Sequence, residues 1–81
     1  MIQAEEIKQK LEQGIDQAEA VVEVSGSNVN AVIVSPAFAG LNPVKKQQLV
    51  YGVLDEYFKS GSIHALNMKT FTPDQWQAQN S

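Results

Sequence analysis

The chain has 81 residues, a formal charge of −3 and no cysteine, and all six of its basic residues are lysines. That length suits one domain, residues 1–81, and the missing thiols exclude a disulfide framework or a self-contained thiolate site for zinc or iron–sulfur. Arginine is the usual bidentate reader of guanine, so its absence and the acidic balance count against non-specific nucleic-acid binding by the whole surface.

Residues 2–15 carry Ile2, Ile7, Leu11 and Ile15 on a Gln/Glu/Lys background. The step of four from Ile7 to Ile15 draws one apolar stripe and predicts a surface helix whose end Gly14 interrupts. From Ala18 to Gly26 valines alternate with Glu19 and Glu23, the period-two pattern of a strand with one wet face. Ser25 to Asn28 reads as a turn, and Val29 to Val34 as a second strand. So short an interval makes the pair an antiparallel hairpin.

Pro36 stops that strand. The following PAFAGLN is too short and too Gly/Pro-marked for a regular element. Phe38 reads as a core plug and Gly40 as a position that needs positive φ. Asn42-Pro43 supplies an N-cap and a proline at the first helical position. Val50, Val53, Leu54, Tyr57 and Phe58 then follow helical spacing up to Gly61, predicting one helix. Ile63 to Phe71 reads as a third strand, with Leu66 and Met68 on the same face as His64 and Thr70. Thr72-Pro73-Asp74-Gln75 opens a short helix with a capping box, and that helix carries Trp76.

The order α-β-β-α-β-α predicts an α+β fold: a three-stranded mixed sheet with helices on one face, the second and third strands lying parallel through a right-handed crossover. No apolar run reaches the length of a membrane span. Gln3, Glu5, Glu6 and Lys8 interrupt any secretory-signal layout. The expectation is a soluble cytoplasmic protein that does not bind membranes.

Candidate chemistry is sparse. One histidine, no cysteine and no activating pair beside a serine or carboxylate leave no catalytic constellation, so no enzyme is expected. On the residues alone, His64 reads either as a polar residue at a strand mouth or as a ligand. Lys45 and Lys46 open the long helix, where cations are disfavoured. They read as a solvated face or as contacts to an anionic surface. Tyr57, Trp76 and Met68 read as packing residues. No G-x-x-G joins two helices, as a nucleic-acid-binding KH module would require.

Three segments, VSPAFAG (Val34 to Gly40), VKKQQLVYGVLDEY (Val44 to Tyr57) and IHALNMKTFTPDQW (Ile63 to Trp76), together resemble the BolA family, and nearer still its IbaG-type branch. The resemblance implies a class II KH-like fold and a non-enzymatic adaptor in iron homeostasis and stress response. It further implies a monothiol glutaredoxin partner, as an apo heterodimer or bridging a 2Fe–2S cluster. His64 would be this chain's cluster ligand, shared with glutaredoxin and glutathione thiolates, and Phe38, Gly40, Lys45, Lys46 and Ala65 would form the docking edge. In the family a second ligand, cysteine or histidine, usually comes from the loop between the first two strands. Here Gly26 to Asn30 offers neither, and Asn28 and Asn30 read as turn residues because amide oxygens are poor iron–sulfur ligands. The chain also departs from the family at Val44 to Gln48, where many members carry Arg-His-Arg, and at Ala39, where aspartate is common. Resemblance to some members implies the alternative, a KH-like nucleic-acid-binding regulator.

Overall fold

A computed structural model describes residues 2–80. Helix α1 (Ala4–Gly14) leads into strands β1 (Glu19–Ser25) and β2 (Asn28–Val34). A single 3-10 turn at Pro36–Phe38 precedes α2 (Pro43–Val53) and α3 (Asp55–Lys59), and β3 (Ala65–Phe71) and α4 (Pro73–Asn80) complete the order. The sheet runs β1-β2-β3, antiparallel across the first pair and parallel across the second. This is the predicted α+β architecture.

The register decides which residues are buried. Ala20 faces Ile33 and Thr70, Val22 faces Ala31 and Met68, and Val24 faces Val29 and Leu66. Those rows share one face, because side chains alternate along a strand. Ile7, Leu11 and Ile15 of the α1 stripe, Val50 of α2, Leu54 and Tyr57 of α3 close over it. Val21, Val32 and Lys69 belong to the opposite face, where Val21 stays 64% exposed. The last helix returns to the end of that face and lays Trp76 against Phe71, ring centroids 5.3 Å apart.

Local expectations are met at the punctuation points. Gly26 adopts φ +61° at the first of two hairpin-loop positions, as a type II′ turn takes. Phe38 is buried and Gly40 has φ +78°. Asn42 Oδ1 accepts the Lys45 N–H at 2.8 Å. Thr72 and Gln75 exchange capping-box hydrogen bonds of 3.0 and 3.3 Å. Buried Ser35 braces the 3-10 turn. Its hydroxyl accepts the Ala37 N–H and donates to the Asp16 carbonyl.

Three boundaries differ. The single helix expected up to Gly61 breaks at Leu54, whose φ −101° and ψ 13° leave the helical region. The apolar period runs straight across that break, so spacing could not reveal it. Gly52, a weak helix former, lies just before it. The break turns Tyr57 toward α1, where its hydroxyl donates to Glu6 Oε2 at 2.8 Å. The third strand starts at Ala65 rather than Ile63, because buried Ile63 still anchors the preceding turn. Asn28 and Asn30, read as turn residues, both lie within β2, and Asn30 accepts a 3.1 Å bond from Asn67 Nδ2 on the open face.

Glu12 links α1 to the outer edge of β1. Its carboxylate accepts from Lys8 Nζ at 2.8 Å and from the Ala20 N–H at 3.1 Å. The Lys8 bond, then the backbone N–H, hold its pKa below the ordinary 4.5. A depressed carboxyl stabilises the fold fully above its unfolded pKa and loses that contribution as pH falls through the folded value. In Glu12→Gln, the decline of stability below pH 4.5 should therefore be shallower than in the parent, as read from urea unfolding along a pH series. A second test concerns Gly14. A Cβ there would stand 2.8 Å from Cγ1 of Val53 on α2, and a β-branched side chain has little freedom to withdraw. Gly14→Ala should cost about 1–3 kcal/mol by overpacking, measured by the same denaturation.

Candidate functional site

His64 sits one residue before β3 and is exposed. The parallel register carries it to the β1–β2 hairpin, because Ala65 pairs with Asn28. The His64 N–H donates to the Ser27 carbonyl at 2.9 Å. The Ser27 hydroxyl lies 3.2 Å from His64 Nδ1, so backbone and side chain are fixed by the same loop residue. In the tautomer that donates Nδ1–H to Ser27, Nε2 carries the lone pair. That nitrogen faces Gly61. A Cβ built on Gly61 would lie 3.8 Å from Nε2, and Gly61 holds φ +80° as it ends α3. Ser27 thus orients the ring, and Gly61 leaves space beside its free nitrogen.

Other groups from the sequence reading are distributed differently. Ala65 is exposed next to His64, with Asn28 across from it. Phe38 is buried, so its part is to hold Ala39 and Gly40 at the surface. Gly40, Lys45 and Lys46 follow the far end of β2, where the Ser35 N–H reaches the Phe71 carbonyl. A seven-residue strand spans about 20 Å, so the expected docking edge divides into two ends of the sheet. Lys46 reaches β3 only beside Met68 and Thr70.

Sequence reasoning missed Ser27 and the second use of Gly61. The signal for Ser27 was the hairpin turn combined with the parallel crossover, which together align the loop with the start of β3. The donor set has definite limits. Among the described residues, no group of three His, Cys, Asp or Glu side chains gathers to hold a metal. Ser27 is the loop side chain that meets His64, and a neutral hydroxyl is a poor iron–sulfur ligand. These groups therefore fit a cluster only as contributors of a single imidazole, with the remaining ligands from elsewhere. Among the described residues, no helix is long and apolar enough to cross a membrane.

A three-stranded mixed sheet in the order α-β-β-α-β-α, with its second helix broken in two, is the class II KH-like arrangement. The chain belongs to the BolA-like protein family, whose pattern matches residues 5–75. It is 39% identical over 71 residues to the acid stress protein IbaG of Escherichia coli strain K12, covering 88% of this chain and 84% of that one. It is also 43% identical over 56 residues to the DNA-binding transcriptional regulator BolA of Haemophilus influenzae, covering 69% and 53%. Among solved structures, a BolA homologue from Coxiella burnetii superposes with a TM-score of 0.84 at 35% identity, covering 95% of this chain and 99% of that one.

The Gly61 geometry is testable. Gly61→Ala places a side chain at φ +80°, a conformation that costs an L-residue about 1–2 kcal/mol. The variant should lose that much stability and shift the His64 ring proton resonances, because the new methyl abuts Nε2. Unchanged ring resonances would show that Nε2 points elsewhere.

Proposed function

We propose that this chain is a non-enzymatic adaptor that partners a monothiol glutaredoxin and contributes His64 to a shared 2Fe–2S cluster. Such a protein would serve cluster assembly, transfer or iron homeostasis, and it would act in the cytoplasm. One observation carries the reading: an exposed imidazole, oriented through Nδ1 and open at Nε2, on a chain with no cysteine and no second histidine. Imidazole can replace thiolate on one iron of a 2Fe–2S centre, as Rieske sites show, and so raise its potential. A partner cysteine and glutathione would supply the sulfur ligands. Ser27 acts as a positioning residue, as outer-shell partners of metal-bound histidines commonly do.

A second reading has its own support. Lys45 and Lys46 lie together on α2, and a relative carries a DNA-binding name. Against it, the junction between α2 and α3 reads Val53-Leu54-Asp55, which would present a carboxylate where a KH loop meets phosphate. Salt-dependent DNA binding, abolished in a Lys45/Lys46 double variant, would favour this second reading.

The test for the first is anaerobic reconstitution with a monothiol glutaredoxin, iron, sulfide and glutathione. The expected result is a heterocomplex whose visible spectrum differs from that of the glutaredoxin alone. His64→Ala should remove the difference, and Ser27→Ala should weaken it. A spectrum that His64→Ala leaves unchanged would end the ligand assignment.

A further inference from the structure

The outer edge of β3 is a row of backbone groups with a lysine-flanked groove beside it. The Ser35 N–H bonds the Phe71 carbonyl, and the Ala65 N–H is directed at the Ser27 carbonyl. In a parallel ladder both groups of one residue point to the same neighbour, so Ala65, Asn67, Lys69 and Phe71 serve β2. The N–H and C=O of Leu66, Met68 and Thr70 therefore point outward, and among the described residues no further strand pairs with them. The corresponding edge of β1 is treated differently, since α1 packs along it and Glu12 takes the Ala20 N–H. An unblunted edge is a template for another strand.

The space beside that edge is open. A cavity of about 670 Å³ extends from the open sheet face, at Val21, Val32 and Lys69, round the β3 edge to Leu66 and Met68 and to Gln47 and Tyr51 of α2. A second hollow continues it past Pro43, Lys46 and Thr70. Tyr51 and Val44 are exposed large apolar residues of α2, 40% and 61% accessible, and with Gln47 and Gln48 they lie along one side of the helix. The core-face side chains Leu66 and Met68 are half-buried beneath the same space.

Charge indicates what fits. Lys8, Lys10 and Lys59 each pair with a carboxylate. Among the described residues, Lys45, Lys46 and Lys69 do not; Lys69 lines the cavity and Lys46 the hollow that continues it, while Lys45 is the neighbour of Lys46 at the start of α2. The one acid lining it, Glu23, belongs to β1 on the far side of the sheet. We propose that the β3 edge is a docking groove for an acidic, extended peptide segment, which pairs with Leu66, Met68 and Thr70 as a fourth strand. Side chains of that segment would alternate between the two faces, apolar ones toward Tyr51 on the helix side, where Lys46 borders the end, and acidic ones toward Lys69 on the open face. A second copy of this chain is a poorer occupant, since edge-to-edge pairing sets the same lysines against one another. A single-stranded nucleic acid would find one exposed aromatic ring and no arginine for stacking. The proposal is independent of the cluster reading, because it uses neither His64 nor Ser27.

The test uses the full chain and a fluorescein-labelled octapeptide of alternating valine and glutamate. The expected result is saturable binding that weakens with salt, together with slowed hydrogen exchange at the Leu66, Met68 and Thr70 amides. N-methylation of alternate peptide residues, which removes the pairing groups and leaves the protein untouched, should weaken binding by about tenfold. Met68→Pro, which deletes an outward N–H of an edge strand, should do the same. Equal affinity of the N-methylated peptide, or of a peptide with lysine in place of glutamate, would overturn the proposal. So would unchanged exchange at the three amides. Binding of an eight-nucleotide oligo-dT but not of the peptide would assign the groove to nucleic acid. Sedimentation as a dimer that protects those amides without peptide would assign it to a second copy.

Discussion

Everything else in this structure follows from the register of the parallel pair. Asn28 stands against Ala65 and Val34 against Phe71, and the hairpin carries the same phase across to β1. Side-chain period along a strand is two, so a slip of one residue would turn Leu66, Met68 and Thr70 out and put Asn67 and Lys69 beneath the helices. Burying a lysine there without a partner is costly enough to forbid that alternative. The same register brings His64 to Ser27 and turns the backbone groups of Leu66, Met68 and Thr70 outward. The geometry of both candidate surfaces is thus a consequence of how the core face is satisfied.

Helix and strand identities were legible because each segment states its period. Ile7, Leu11 and Ile15 step by four, and all three are buried. Gly40, Asn42 and Thr72 mark their turn and caps by residue type, and each takes the conformation or bonds that type favours. The break at Leu54 was hidden for the opposite reason. Val50, Val53, Leu54, Tyr57 and Phe58 keep one apolar spacing whether the helix is continuous or bent, so only tertiary packing distinguishes the two. Asn30 illustrates the same limit. Its residue type suggests a turn, but the open sheet face tolerates it once Asn67 supplies a hydrogen bond.

The candidate site was legible in its chemistry and not in its geometry. If His64 binds a 2Fe–2S cluster, as proposed above, ligand counting alone requires that cluster to be shared, because the chain has no cysteine. That Gly40 and the two helix lysines stand at the other end of the sheet depends on strand direction, which no local motif encodes. Net charge also misleads here. The total of −3 hides a partition in which the lysines of α1 and α3 are matched by nearby carboxylates and those near β3 are not.

That partition bears on how the two surfaces relate. In the role proposed for it, His64 would meet a ligand through a side chain whose orientation rests on one loop serine, so that role would be sensitive to Ser27 and Gly61. The β3 edge meets a ligand through backbone groups that persist under most side-chain substitutions, with the lysines setting which strand is preferred. Both surfaces nevertheless lie along one strand: His64 immediately precedes Ala65, and the first outward backbone pair is that of Leu66. A segment paired along the edge from Thr70 toward Leu66 would end beside the imidazole.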